Sequence, residues 1–82
     1  GIEENNSLEY SVFPNPFTSE FTVFSAQLPV TAELFNVLGE LVVTQVLSET
    51  NIKLETGNLK PGVYLLRLNY NGEFRNFRLE KI

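Results

Sequence analysis

The residues able to do chemistry in this 82-residue chain are few. It contains no His and no Cys, and all ten of its acidic residues are glutamate. Without imidazole there is no ordinary general base at neutral pH, and without a thiol there is no thiolate nucleophile or disulfide. General acid–base work would fall to Glu–Glu or Glu–Lys pairs. The one adjacent pair, Glu3-Glu4, sits in a polar leader, where both carboxylates are solvated. A zinc site draws on His and Cys, and calcium loops rely heavily on Asp. The composition therefore points to a non-enzyme with no cofactor and no metal site.

Two other constellations suit recognition. The first is the corner Ser11-Val12-Phe13-Pro14-Asn15-Pro16-Phe17. Each proline lacks an N–H and holds φ near ~−65°, so this stretch cannot continue an inner strand. Pro16 keeps Asn15 extended, and Phe13 and Phe17 are expected to tuck into the end of the core. Pro14, Asn15 and Pro16 read either as a rigid corner alone or as a corner that a partner also recognises. The second constellation is Arg75, Arg78 and Lys81, three of the chain's six basic residues, followed by Ile82. On a border strand, such charges steer toward an acidic receptor beside unpaired backbone groups, or they protect the edge from aggregation.

These residues must be positioned by one small domain. Length allows a single domain, and 43% hydrophobic with 20% charged residues is a globular composition. A net charge of −4 argues against nucleic acid as a partner. No run approaches the ~20 apolar residues of a membrane-spanning helix. The opening Gly1-Ile2-Glu3-Glu4 is acidic and does not resemble a signal peptide. Residues 1–7 read as a linker or leader remnant and residues 8–82 as the domain.

Short alternating apolar runs between turn residues are the strand signal. They place strands at Leu8–Phe13, Glu20–Ser25, Val30–Val37, Glu40–Leu47, Asn51–Glu55, Gly62–Tyr70 and Glu73–Lys81. Inward sets are Leu8, Tyr10 and Val12, then Phe21 and Val23, then Val30, Ala32 and Leu34, then Leu41, Val43 and Leu47. Ala32 to Val46 carries enough Leu, Glu and Ala to suggest a helix, but Gly39 and the run Val42-Val43-Thr44 oppose it. Asn71-Gly72 suits a type I′ hairpin. Pro61-Gly62 matches the centre of a type II turn. Gly39 supplies the left-handed residue of a bulged tight turn. Tyr64 matches the aromatic whose hydroxyl ties a loop in sandwich corners. Phe74 and Phe77, three apart, cannot share a face of a regular strand: either a bulge lies near Asn76 or one ring faces outward. Seven short strands without a helix predict an all-β, immunoglobulin-like β-sandwich of antiparallel strands, because only a second sheet covers the apolar face of the first.

Three pieces in order resemble the C-terminal sorting domain, type A, of the type IX secretion system, also called the Por secretion system. They are SVFPNPF with Phe21-Thr22-Val23, then Leu34-Phe35-Asn36-Val37-Leu38-Gly39-Glu40-Leu41-Val42, then Leu59-Lys60-Pro61-Gly62-Val63-Tyr64-Leu65-Leu66-Arg67-Leu68. The basic, apolar last strand from Arg75 to Ile82 completes the match. Glu40 departs from it, since the family often carries a basic residue there.

The resemblance implies an export address fused behind a cargo domain. It implies outer-membrane secretion machinery as partner and a sortase-like peptidase that cuts at or upstream of Gly1, in the leader Glu3–Ser7. It implies passage through the periplasm and delivery to the cell surface or beyond. Pro14, Asn15, Pro16, Arg75, Arg78, Lys81 and Ile82 are then the recognition candidates; Gly39, Pro61, Gly62, Tyr64, Asn71 and Gly72 serve the fold. Edge-strand dimerisation is a further expectation. The competing reading is an extracellular adhesion or carbohydrate-binding module, which would want Tyr10, Tyr70, Phe24 and Phe35 clustered on one face.

Overall fold

Period-two alternation sets which side chains share a face, and the strands follow it. The structure, a computed structural model, describes residues 9–82; the leader over residues 1–7, its expected cleavage site and Leu8 lie outside these. Seven strands form: β1 (Tyr10–Phe13), β2 (Glu20–Ser25), β3 (Val30–Phe35), β4 (Leu41–Leu47), β5 (Asn51–Glu55), β6 (Gly62–Tyr70) and β7 (Glu73–Lys81). No helix occurs among the described residues. The strands divide into a three-stranded sheet, β1-β2-β5, and a four-stranded sheet, β4-β3-β6-β7, with antiparallel pairing throughout. This is the two-layer immunoglobulin-like sandwich expected.

The core fills the space between the layers. Phe21 and Val23 from β2 meet Val30, Ala32 and Leu34 from β3, Leu66 and Leu68 from β6, and Leu79 from β7. Phe17 joins them at 1% exposure, its ring edge-on to Phe21 with centroids 5.0 Å apart. Each fully buried Leu or Phe contributes roughly 1.5–3 kcal/mol. Phe13, expected to tuck in beside Phe17, instead stays 47% exposed. It is an odd residue of β1, on the face opposite Tyr10 and Val12.

Turns fix the register. Asn71 and Gly72 both have positive φ, at 52° and 84°, as a type I′ hairpin requires. Between β3 and β4, Asn36 N–H donates to the Glu40 carbonyl at 3.0 Å, closing a three-residue loop with Gly39 at φ 82°. The Asn36 side chain locks it: Oδ1 accepts the N–H groups of Leu38 and Glu40 at 2.9 and 3.0 Å, and Nδ2 donates to the Glu40 carboxylate at 2.8 Å. Glu40, the departure from the family pattern, therefore ties its own turn. The register then slips: Leu34 faces Val43 but Phe35 faces Leu41, leaving Val42 as the extra residue. That bulge puts Leu41, expected inward, on the outer face at 49% exposure.

Gly62 differs from expectation too. Its φ of 150° is far from the ~80° of a type II turn, so Pro61-Gly62 is the bent entry to β6. Glycine is still needed there, since L side chains rarely adopt that φ. The final hairpin is unbroken through Phe77 and Phe74. Phe77 turns inward against Tyr10, with centroids 6.3 Å apart, and Phe74 turns outward at 54% exposure.

Two of the three core-facing tyrosines, Tyr64 and Tyr10, predict opposite mutational signs. Tyr64 Oη donates to the Lys60 carbonyl, tying the loop before β6. Tyr64→Phe should cost about 1 kcal/mol by urea denaturation, with an unchanged m value. Tyr10 Oη is buried with no hydrogen-bond partner among the described residues, and burial raises its phenol above the ordinary value of 10.0, against a smaller lowering by Arg75. Tyr10→Phe should therefore be neutral or stabilising. With the folded phenol raised, the unfolded chain loses its proton first. Stability should fall as pH rises past about 10, and less steeply in Tyr10→Phe.

Candidate functional site

A border strand carries N–H and C=O groups that need partners, and a segment containing two prolines has few to give. The sequence resolves this conflict with a side chain. In β7 the even-numbered residues turn their backbone groups away from β6. Asn15 Nδ2 donates to the Arg78 carbonyl at 2.9 Å, and the Glu80 N–H donates to Asn15 Oδ1 at 3.0 Å. The carboxamide thus pairs with the strand as a peptide group would. The backbone takes over at Phe17, whose N–H donates to the Glu80 carbonyl and whose carbonyl accepts from the Ile82 N–H, both at 2.9 Å. Phe17 and Lys81 form a parallel bridge. The corner and the last strand, read from the sequence as two surfaces, are one.

This closes the C-terminal half of the β7 edge. The stretch from Phe74 to the Arg78 N–H has no strand partner on that side among the described residues. Pairing of a second copy along β7 would be confined to it.

The basic residues do not gather. Arg75 and Lys81 share the inner-facing parity of Phe77 and Leu79, while Arg78 lies on the outer face with Phe74. Arg75 reaches over the Tyr10 ring, 5.9 Å from its centroid. Lys81 is only 9% exposed, so its stem is packed against the core. Arg78 is exposed, and Ile82 is 69% exposed. Pro14 and Pro16 are exposed beside Asn15.

Sequence reading missed Arg67. Its guanidinium pairs with Glu33 at 2.9 Å and lies between the Phe35 and Phe74 rings, at 5.2 and 4.9 Å. The available signal was parity. Phe35, Arg67 and Phe74 all sit at non-core positions of adjacent strands, where cation–π stacking covers otherwise wet rings.

The four aromatics of the competing reading do not cluster. Tyr10 and Tyr70 have inward parity, whereas Phe24 and Phe35 lie on the outer faces of different sheets. Among the described residues no group of His, Cys, Asp and Glu is arranged to hold a metal ion, and no helix is long and apolar enough to cross a membrane.

The small two-sheet sandwich, with its fixed turns and half-covered border strand, is of the immunoglobulin-like class. The chain belongs to the secretion system C-terminal sorting domain family, whose family model matches residues 11–79. It is a C-terminal sorting signal for type IX secretion. Proteins so sorted reach the cell surface or the extracellular space. No curated protein matches the chain. Among solved structures it is similar to PorZ, an essential bacterial surface component of the type IX secretion system of Porphyromonas gingivalis. The TM-score is 0.76 at 18% identity, covering 89% of this chain and 11% of that one. The chain thus spans about a tenth of the length of PorZ, and the likeness is one of fold.

Asn15→Ala should lower stability by about 1 kcal/mol and speed hydrogen exchange at the Glu80 amide, while the Ile82 amide stays bonded to Phe17. Asn15→Asp should do no better, because its carboxylate cannot donate to the Arg78 carbonyl.

Proposed function

We propose that the secretion machinery reads the folded domain at the joined surface of the corner and β7. The residues that carry it are Pro14, Asn15, Pro16, Arg75, Arg78 and Ile82, with Lys81 acting as a packed support. The observation behind this reading is the docking of the Asn15 amide on β7. It holds an exposed corner and an exposed strand end in one fixed relation, so a receptor meets a preformed shape and little entropy is lost on binding. Arg75 and Arg78 then present positive charge on an otherwise acidic domain, giving orientation toward an acidic receptor surface.

The remaining steps belong to the same reading. The domain spans residues 8–82 of a longer polypeptide, behind a cargo that crosses the periplasm. A sortase-like peptidase cuts at or before the leader, residues 1–7, and frees the cargo at the surface. The type A kind of sorting domain fits this route.

A reporter cargo fused ahead of residue 1 tests the proposal. Arg75→Glu with Arg78→Glu should lower surface delivery at least about tenfold, with the cargo held in the periplasm and the domain still unfolding cooperatively in urea; Arg78→Glu alone, at an exposed position, should keep the unfolding free energy within about 0.5 kcal/mol of the parent. Undiminished delivery would remove both arginines from the recognition surface. Delivered cargo should end at or before residues 1–7 by mass spectrometry; cargo still carrying β1–β7 would contradict the cut.

A further inference from the structure

The outer face of the four-stranded sheet holds a second feature. The register places Leu41, Phe35, Leu65 and Arg78 in one row across β4, β3, β6 and β7. Beside this row, an open groove of about 560 Å³ is lined by Phe35, Val37, Val63, Leu65, Arg67 and Arg78, within the ~300–1,000 Å³ span of ligand sites. Leu65 is 41% exposed, and Val37, at the tip of the β3–β4 turn, is 76% exposed.

The polar groups here are not equivalent. Asn36 is fully engaged in its own turn, through both Oδ1 and Nδ2. Arg67 is neutralised by Glu33 at 2.9 Å and held between two rings. Arg78 makes no side-chain hydrogen bond or ion pair among the described residues, even with Glu80 two positions on. An apolar floor thus ends on a single uncommitted positive charge.

We propose that this groove docks an extended segment of a partner protein that carries one carboxylate beside apolar side chains. The carboxylate meets Arg78, and the apolar side chains cover Phe35, Val63 and Leu65. This deepens the sorting reading and rests on it: the segment belongs to the secretion machinery. Charge complementarity selects the occupant. A polysaccharide would need several free hydrogen-bonding groups, and the groove has one charged group left. An acyl chain would need an enclosed apolar channel, whereas this groove is open along the sheet.

The test uses the 82-residue chain and capped tetrapeptides Leu-Glu-Val-Leu, Leu-Gln-Val-Leu and Leu-Lys-Val-Leu, followed by amide chemical shifts. The glutamate peptide should shift Phe35, Val63, Leu65 and Arg78 and saturate. The glutamine peptide should bind about three- to fivefold more weakly, the scale of an exposed ion pair, and the lysine peptide should not saturate. Arg78→Glu should reverse the preference between the glutamate and lysine peptides, and Leu65→Asp should abolish binding of the glutamate peptide.

Equal affinity for the glutamate and glutamine peptides would overturn the proposal. So would shifts confined to other residues, or binding to phosphatidylglycerol vesicles through these residues in place of peptides. Cargo delivery separates the two readings. Lost delivery with Leu65→Asp and no peptide binding overturns the peptide chemistry and leaves the sorting surface standing. Peptide binding with undiminished delivery overturns the assignment of the partner to the secretion machinery.

Discussion

The arrangement depends on the hydrogen-bonding needs of one border strand. β7 is the border strand of the four-stranded sheet, with no further strand beyond it among the described residues. The segment that reaches it is built around two residues without N–H groups, Pro14 and Pro16. A carboxamide between them has the donor and acceptor of a peptide unit on a short tether, so Asn15 can pair where the chain itself cannot. Glutamine would set the amide one methylene further out, and aspartate has no donor. Once Asn15 is seated, Phe17 falls into the core at the end of the sandwich, and its backbone extends the pairing to Ile82. Polar satisfaction at the edge and apolar burial at the end of the core are one event.

Side-chain substitution for missing backbone partners recurs elsewhere in the domain. Asn36 accepts two N–H groups of the turn it opens. Tyr64 satisfies a carbonyl in the loop before β6. Ser25, buried at 1% exposure, bonds both backbone groups of Gln27 where β2 ends. A domain of this size has little core to hold its loops in place. Short side chains with polar groups fix them locally instead, through hydrogen bonds to nearby backbone. Loop order and economy of fold thus draw on the same residues.

Much of this was legible in the sequence, for a physical reason. Alternation reports which face a residue occupies, so Phe21 and Val23, or Val30, Ala32 and Leu34, could be placed inward without knowing their partners. Asn71-Gly72 and Gly39 were legible because their backbone angles exclude most other residues. What alternation cannot report is a property of a pair. The bulge at Val42 belongs to the match between β3 and β4, and it reversed the expectation for Leu41. Burial of Lys81 depends on Phe17 arriving from 64 positions away along the chain. Asn15 was visible as an oddity, yet the reason for it lay in the carbonyl of Arg78 and the amide of Glu80, which no local pattern names.

The bond between Asn15 and Glu80 spans 65 positions, and this separation has a consequence for biogenesis. Contacts so distant in sequence form only after the intervening chain has been made. The pairing of Asn15 with β7 can therefore form only once β7 itself has been made. A cargo truncated before β7 would lack both the strand and the fixed corner that depends on it. In such a product the Asn15 amide would have no strand to dock on.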